Sequence, residues 1–416
     1  MFRVDRIVYA FVVFIAACGA DEPTAGDAGV AADPTWHGEV APIIAEHCQR
    51  CHEQGGIAPF PLTNYEQAKA MSAPIAASTA ARRMPPFLAD NSGDCNTWVD
   101  ANWLSNSKLE ILAKWHASGA QEGAPQAPPQ APVLPSIENP DLTVSMTAPY
   151  TPDDTVSDDY RCFILDPELD RERYVTRYQV VPGDQRVVHH VILYATKNAA
   201  AEREAQALAD EDGRAGYPCY GGAGVRADMI AAWAPGTGAT SFPEGTGLAL
   251  RPQGQLIMQI HYNMASGSFP DQTSIKLTMQ DQVDHPGTMT VLGNNDLNIP
   301  PGVENHVESG DLVVRRTGAR VAMNLWGILP HMHEIGTTYR LERVRSDETM
   351  CLMDVPRWDF NWQLGYFLDQ PIRLETTDIL RTTCRFDSRS RDQVTRFGED
   401  TTDEMCLGLM FATQAD

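Results

Sequence analysis

The chain has 416 residues, a length that predicts two or three domains rather than a single core. Hydrophobic residues make up 43% of it and charged residues 21%, which is the composition of a globular protein and excludes a disordered one. The net charge of -23 argues against binding to a phosphate backbone, which requires clustered Lys and Arg, so no nucleic acid partner is expected.

The first 18 residues have the pattern of a targeting segment. Arg3 and Arg6 give a basic start, and the apolar run at residues 7–17 is too short to span a bilayer. The run ends in Ile-Ala-Ala before Cys18, which predicts a lipoprotein signal peptide over residues 1–18 with Cys18 as the lipidated residue. A plain secretory signal with an incidental cysteine is the alternative. We expect an exported protein, lipid-anchored to the membrane of a bacterial cell envelope on its periplasmic or surface face.

A flexible tether and a small helical domain are expected next. Residues 19–34 are mostly Ala, Gly, Asp and Pro without periodicity, which predicts the tether. Helical spacing of apolar residues before residue 48, over residues 64–79 and over residues 107–119 predicts the domain, at residues 35–122. The Pro- and Ala-rich residues 123–140 cannot form a helix or a central strand and predict a linker.

The helical domain contains the motif Cys-Gln-Arg-Cys-His, with Cys48, Cys51 and His52. Two thiols at this spacing on a helix can bond to the vinyl groups of one haem c, and the histidine can reach its iron. Met84, in a Pro-rich loop, is a typical sixth ligand. A disulfide within the motif and half of a zinc site are the alternatives. The domain resembles the c-type cytochrome modules fused to bacterial oxidoreductases, which implies His52 and Met84 as axial ligands.

Beyond residue 140, short runs rich in Val, Ile, Tyr and Thr alternate with Gly, Pro, Asp and Asn turns. This pattern is typical of antiparallel β-sandwiches, and the length suffices for two, at residues 141–284 and 285–416. Predicted strands include residues 174–181, 187–194, 256–262, 274–279 and 338–344. The expected fold class is multidomain, with a small all-α cytochrome c-like domain followed by two all-β, jelly-roll-like sandwich domains.

Five histidines lie in three apolar clusters of the β region: His189 with His190, His261 alone, and His331 with His333. Residues two apart on a strand share a face, so His331 and His333 can bind one ion together, whereas His189 and His190 would need a local twist. A single histidine in an apolar strand is more often a core residue. Five in three clusters indicate metal binding, and imidazoles suit copper, zinc and iron.

Near the C-terminus the chain reads Asp-Glu-Met-Cys, with Met405 and Cys406, and a thioether favours copper over zinc. The ordered motifs His-His, Gln-x-His-Tyr, His-x-His and Asp-Glu-Met-Cys resemble those of the type II copper, ascorbate-dependent monooxygenases. This family includes the peptidylglycine hydroxylating and dopamine beta-monooxygenases. The resemblance covers about residue 141 to the C-terminus and implies two linked sandwiches, each holding one copper, that face a shared cleft.

The resemblance also implies roles for individual residues. The electron-transfer copper would be held by His189, His190 and His261. The catalytic, oxygen-activating copper would be held by His331, His333 and Met405, and three protein ligands leave a position open for O2. Cys384 and Cys406 would form a disulfide, while the pairings of Cys95, Cys162, Cys219 and Cys351 stay open.

Three leucines depart from the family pattern. Leu329 stands where peptide-amidating members have the Arg that binds the substrate carboxylate, and Leu407 and Leu409 replace an Asn and a Tyr. A carboxylate would therefore find no charge-assisted partner at these positions. We expect a small, apolar organic substrate together with O2.

The expected function is that of a copper-dependent monooxygenase, an oxidoreductase that acts on paired donors and incorporates one oxygen atom of O2 at a C–H bond. Its cofactors would be two copper ions and one covalently bound haem c. The haem would relay electrons from a redox donor protein or small reductant. The alternatives are a non-catalytic haem and copper lipoprotein for electron transfer or copper handling, and an adhesion protein whose sandwiches merely stack histidines.

Overall fold

The computed structural model describes residues 33–398 and 402–416. The predicted signal peptide, Cys18 and nearly all of the predicted tether lie outside the described residues. Within the described part of the chain, no helix has the length and apolar character needed to cross a membrane. Residues 34–416 form one compact unit.

Four short helices precede the β region, and a π-helical turn (Trp36–Val40) leads directly into the first of them. They are α1 (Ala41–His47), α2 (Tyr65–Ala70), α3 (Ser72–Ala80) and α4 (Asn106–Ala117). The helix predicted over residues 64–79 is thus two helices that meet at Met71. The prediction that the Cys48 and Cys51 thiols lie on a helix is wrong, because α1 ends at His47 and turns follow.

The N-terminal sandwich buries one hydrophobic core between two sheets. Its first five strands are β1 (Leu142–Ser145), β2 (Asp158–Leu165), β3 (Arg173–Val181), β4 (Val188–Thr196) and β5 (Tyr217–Pro218). The other five are β6 (Ala227–Trp233), β7 (Thr240–Ser241), β8 (Thr246–Leu250), β9 (Leu256–Asn263) and β10 (Ser274–Gln280). The orders are β1-β10-β3-β8 and β5-β2-β9-β4-β6. Helix α5 (Ala199–Asp212) follows β4.

The C-terminal sandwich repeats this plan around a second core. Its first five strands are β11 (His285–Asn294), β12 (Asn298–Ile299), β13 (His306–Val313), β14 (Met323–His331) and β15 (Gly336–Arg345). The other five are β16 (Glu348–Val355), β17 (Tyr366–Leu374), β18 (Ile379–Phe386), β19 (Thr395–Arg396) and β20 (Cys406–Gln414). The two main sheets have the orders β11-β20-β14-β17 and β13-β18-β15-β16. A short 3-10 turn (Val314–Thr317) follows β13.

The two sandwiches share one sheet. Strands β8 and β11 pair in parallel, with His285 opposite Thr246, and this pairing joins one sheet of each sandwich into a nine-stranded sheet. Phe411 of β20 lies in the N-terminal core. All five strands that the sequence predicted are confirmed as β3, β4, β9, β10 and β15, to within two residues at each end. Their Val, Ile, Leu and Tyr side chains supply the apolar faces that the sandwiches bury.

The segment between α3 and α4 packs on the C-terminal sandwich rather than on the helices alone. Leu88 and Trp98 are buried in the C-terminal core, and the Trp98 indole lies 5.6 Å from the Tyr366 ring. Cys95 forms a disulfide with Cys351 of β16. Part of the predicted helical domain therefore shares its hydrophobic core with the C-terminal sandwich and is covalently tied to it.

Three disulfides are present in the described residues: Cys95–Cys351, Cys162–Cys219 and Cys384–Cys406. The third joins β18 to the start of β20. Disulfides persist in oxidising compartments, so this chain folds outside a reducing cytoplasm.

Candidate metal centres

The first centre lies on three adjacent strands of the N-terminal sandwich. Tyr160 of β2 is opposite His261 of β9, and His261 is opposite His190 of β4. The ladder between β4 and β9 is irregular between Val188 and His190. Successive residues of an ideal strand face opposite ways, but a bulge changes the direction of the side chains beside it. The bulge therefore allows His189 and His190 to face the same centre.

The three imidazoles of this centre converge. Ligand atoms of His189, His190 and His261 all lie within 4.8 Å of one another, and all three residues are buried. The Nδ1 atoms of His190 and His261 are 3.1 Å apart. Among the described residues, the buried Nδ1 of His189 has no hydrogen-bond partner. A buried polar atom without a partner is costly, and a metal ion shared by the three rings would satisfy it.

Asp158 and Tyr160 orient the His261 ring. The Asp158 carboxylate accepts a hydrogen bond from His261 Nε2 at 2.7 Å, and the Tyr160 ring stacks on the imidazole at 4.2 Å. A carboxylate on the far nitrogen fixes the tautomer and leaves Nδ1 as the ligand atom. The hydrogen bond from His261 lowers the pKa of Asp158, which keeps this carboxylate ionised.

Burial keeps the three imidazoles neutral. Desolvation and the neighbouring His261 lower the pKa of His189 to about 3, and the same causes lower the pKa of His190. Desolvation also lowers the pKa of His261, although Asp158 opposes the effect. Neutral imidazole is the form that binds a metal, so the centre can bind one at neutral pH.

The second centre lies at one end of the C-terminal sandwich. His331 is the last residue of β14, His333 follows just beyond it, and Met405 immediately precedes β20. The two imidazole centroids are 5.3 Å apart. His331 Nδ1 donates to the Gln363 side-chain oxygen at 2.7 Å, and His333 Nδ1 donates to the Asp403 carbonyl at 3.2 Å. With both Nδ1 atoms engaged, Nε2 is the atom that each ring would present to an ion.

This donor set also fits a metal. Among the described residues, the buried Nε2 of His331 has no hydrogen-bond partner. Burial and the nearby His333 lower the pKa of His331 to about 4, so its ring is neutral. Met332 is fully buried in the C-terminal core. Two imidazoles and the Met405 thioether are a set of ligands that copper accepts and that zinc rarely uses.

The Glu404 carboxylate accepts hydrogen bonds from both backbone segments that carry the second centre. It accepts backbone N–H bonds from His333 at 2.9 Å, from Ile335 at 2.9 Å and from Met405 at 3.0 Å. Burial raises the pKa of Glu404 to about 7, and the three N–H groups oppose that rise. One side chain therefore fixes the backbone on both sides of the centre.

A cleft of about 580 Å³ separates the two sandwiches and reaches the second centre. His331 and Met405 lie in its wall. An apolar stretch on the C-terminal side of the wall comprises Met289, Val291, Leu329, Leu407 and Leu409. The three leucines that depart from the family pattern thus lie in the same cleft as the second centre.

The Cys48–Cys51 motif contributes no residue to either centre. Both cysteines are free thiols, so the alternative of a disulfide within the motif does not occur in the structure. Burial raises the pKa of Cys48 to about 12 and that of Cys51 to about 11, so both thiols of the metal-free protein are protonated at neutral pH. His52 Nδ1 donates to the Phe60 carbonyl at 3.0 Å. Met84 is 39% exposed.

Four residues that contact the histidines of the centres were not predicted from the sequence. The side chains of Asp158, Trp362 and Gln363 contact the rings of His261, His189 and His331, respectively. The Glu404 carboxylate accepts from the backbone N–H of His333. Of the four, Glu404 alone lies in a motif that the sequence analysis singled out, since it directly precedes Met405.

Each of the two paired sandwiches thus carries a cluster of imidazoles that could bind a metal ion. The model of the N-terminal domain of copper type II ascorbate-dependent monooxygenases matches residues 144–268. The model of the C-terminal domain matches residues 286–413. The chain therefore contains both domains of this family, which is a family of oxygen-incorporating oxidoreductases.

Curated relatives agree with this assignment. Tyramine beta-hydroxylase of Caenorhabditis briggsae is 25% identical over 293 residues, 66% of this chain and 46% of that protein. Peptidyl-glycine alpha-amidating monooxygenase of Mus musculus is 26% identical over 68% of this chain and 28% of its own length. DBH-like monooxygenase protein 1 of Homo sapiens is 24% identical over 74% of this chain and 54% of its own length. The chain spans about half the length of these relatives or less.

Proposed function

We propose that the protein is a copper monooxygenase that hydroxylates a C–H bond of a small organic substrate with O2. One oxygen atom enters the C–H bond, and two electrons from a reductant together with two protons convert the other to water. The observation that carries the proposal is the cleft between the sandwiches, whose wall contains His331 and Met405. A substrate in this cleft would lie beside the second copper and within the fold that also holds the first. In this proposal His189, His190 and His261 hold the electron-transfer copper, and His331, His333 and Met405 hold the oxygen-activating copper.

The lining of the cleft favours an apolar substrate. Leu329, Leu407 and Leu409 face it together, and no cationic side chain stands at these positions. Burial of apolar surface contributes roughly 25 cal/mol per Å², so such a wall favours hydrocarbon over a hydrated carboxylate. A carboxylate against these three leucines would lose its water shell without gaining a charge-assisted hydrogen bond there; the cation of the cleft lining is Arg226, on the N-terminal side.

The chain's own residues would prepare the two centres. When bound, copper would supply O2 activation at the second centre and one-electron transfer at the first. Gln363 and the Asp403 carbonyl hold the imidazole rings of His331 and His333 through their Nδ1–H groups. Glu404 fixes the backbone that carries His333 and Met405.

The covalent haem c remains part of the proposal, with Cys48 and Cys51 as attachment sites and His52 and Met84 as axial ligands. Both thiols are unpaired, and the Phe60 carbonyl holds His52 Nδ1, which leaves Nε2 for iron. These features fit a haem.

The position of the motif suits an electron donor. A Cβ atom at Gly236 would lie 3.0 Å from Cys51 Sγ, so the motif contacts the loop after β6. Strand β6 pairs with β4, where Trp233 is opposite Val191, the residue after His190. A haem attached here would lie near the strand that carries two ligands of the first copper. The proposed lipid anchor at Cys18 would hold this assembly at a membrane, where a redox donor could reach the haem.

The test starts from the full chain produced in a host that attaches haem c. Elemental analysis should find two coppers per chain, and Met405→Ala should retain one. His306→Ala is the matched control, because His306 pairs with Glu308 outside both centres and should leave both coppers in place. Ethylbenzene, which is apolar and has an activated C–H bond, serves as the substrate probe with isotopically labelled O2 and ascorbate as the two-electron reductant.

Labelled alcohol that requires Met405 would support the monooxygenase. Two coppers and a haem that exchange electrons but yield no labelled product from any apolar C–H substrate would favour the non-catalytic electron-transfer protein. A chain that binds no copper would overturn both. The haem spectrum is a separate readout, so a missing haem would refute the electron relay and leave the copper chemistry standing.

A further inference from the structure

One loop of the C-terminal sandwich contacts both metal centres. It comprises residues 356–365, between β16 and β17. The Trp362 ring lies 5.1 Å from the His189 ring of the first centre. The next residue, Gln363, accepts the 2.7 Å hydrogen bond from His331 of the second centre. Two consecutive residues therefore contact one proposed ligand from each centre.

The loop is held in place by its own contacts. The Trp358 indole donates to the His333 carbonyl at 3.2 Å, and the Trp362 backbone N–H donates to the Asp359 carbonyl at 3.0 Å. The Gln363 amide donates to the Phe360 carbonyl at 3.2 Å, which fixes the direction of its acceptor oxygen toward His331. The Trp362–Gln363 pair thus has a defined geometry between the centres.

A second chain of contacts also connects the centres, through aromatic rings alone. Tyr160 stacks on His261 at 4.2 Å, Tyr220 lies 4.5 Å from Tyr160, and His333 lies 6.3 Å from Tyr220. This chain of rings contains three through-space gaps between non-bonded rings. The route through the loop contains one such gap, between Trp362 and His189. The rest of that route consists of covalent bonds and the hydrogen bond from His331 to Gln363. Electron tunnelling decays more slowly along bonds and hydrogen bonds than across gaps.

We propose that Trp362 and Gln363 form the route by which electrons pass from the first centre to the second. The proposal rests on the proposed function, because it assumes copper at both centres. Each transfer would move one electron from a copper held by His189, His190 and His261, which would be oxidised, to a copper held by His331, His333 and Met405, which would be reduced. No bond forms or breaks, and no proton moves. Trp362 and Gln363 are positioning residues, since they act through the ligands His189 and His331.

The experiment uses the full chain with both centres loaded with copper and oxidised. Pulse radiolysis delivers less than one electron per chain, and samples frozen at successive times are read by electron paramagnetic resonance. Reference spectra for each centre come from the His189→Ala and His331→Ala chains, which each lack a ligand of one centre. Cu(I) gives no paramagnetic signal, so reduction is read as loss of the Cu(II) signal. The rate at which that loss moves from the spectrum of the first centre to the spectrum of the second is the internal transfer rate.

Variants of the loop test the route. Trp362→Leu removes the ring contact, and Gln363→Met removes the hydrogen bond at nearly constant side-chain length. We expect both to slow the transfer by an order of magnitude or more while two coppers stay bound. Gln363→Glu keeps an acceptor for His331 Nδ1–H and should restore the rate. Tyr220→Leu interrupts the ring chain and should leave the rate unchanged.

Unchanged transfer in Trp362→Leu and Gln363→Met, with two coppers bound, would overturn the proposal. Slow transfer in Tyr220→Leu together with normal transfer in Gln363→Met would also overturn it and assign the route to the ring chain. If Trp362→Leu does not fold, the pair Gln363→Met and Gln363→Glu decides alone. Absence of copper in the unmodified chain would instead refute the proposed function, so the two failures are distinguishable.

Discussion

Glu404 offers the sharpest single test of how the second centre is built. In Glu404→Gln one carboxylate oxygen becomes an amide nitrogen, which cannot accept a hydrogen bond. If the remaining oxygen keeps the bonds from the His333 and Met405 N–H groups, the Ile335 N–H loses its acceptor. A buried donor left unsatisfied costs about 1–3 kcal/mol, so we expect the free energy of unfolding to fall by about that amount.

The same substitution should weaken copper binding at the second centre only. Loosening the backbone at His333 and Met405 disturbs two proposed ligands, and each 1.4 kcal/mol lost corresponds to about tenfold in affinity. Urea unfolding measures the first effect, and copper titration of the His189→Ala and His331→Ala backgrounds separates the centres. Glu348→Gln is the matched control, since the Glu348 side chain is 67% exposed. Wild-type stability and copper affinity in Glu404→Gln would refute the reasoning.

Three further predictions follow from the fold and the centres. Cys95→Ser should lower the free energy of unfolding by about 5 kcal/mol in a urea titration, because the disulfide to Cys351 spans 256 residues. Copper-free protein should lose about 1.4 kcal/mol of its free energy of unfolding per pH unit through His189 as the pH falls below 6.5, because the folded state lowers the pKa of His189 to about 3 and the unfolded chain takes up the proton first. In urea titrations of His189→Asn the slope should be smaller by about that amount, and the part carried by His190 and His331 should remain. Leu329→Arg should weaken ethylbenzene binding and admit an aromatic carboxylate to the cleft, as measured by competition in the product assay.

Each of these predictions has a contradicting result. Equal free energies of unfolding for Cys95→Ser and the unmodified chain would mean that the segment between α3 and α4 packs on the C-terminal sandwich without its disulfide. An identical pH slope in His189→Asn would show that other groups carry the acid sensitivity. Unchanged substrate preference in Leu329→Arg would move the substrate to another part of the cleft.

The strands and the proposed ligands were largely readable from the sequence, for a physical reason. A buried strand needs a run of apolar residues, and a metal centre on such a strand needs histidines within the run, so both leave a local pattern. The helices were less readable, because the break at Met71 and the early end of α1 at His47 leave no periodic signal. Cap residues and turns decide such boundaries, and they are weakly encoded.

The residues around the ligands were not readable. Trp362 and Gln363 lie in a loop without periodicity, and their partners lie about 170 and 30 residues away in the chain. Cys95 could have paired with any of several cysteines, since an even number of cysteines does not reveal its pairing. Contacts of this kind arise from tertiary structure, which one sequence does not expose.

The disulfide between Cys95 and Cys351 has a consequence for the order of maturation. Cys351 lies 256 positions after Cys95 in the chain. Because translation adds about 5–20 residues per second, Cys95 is synthesised roughly ten seconds to a minute before Cys351. Cys48 and Cys51 emerge first and are competing partners during this interval. A wrong early pair would have to be reshuffled by thiol–disulfide exchange before the C-terminal sandwich closes over the segment. Capture of Cys48 and Cys51 in thioether bonds would remove two of the competitors and leave Cys162 and Cys219, so the time at which a prosthetic group is attached would also affect the yield of correctly paired protein.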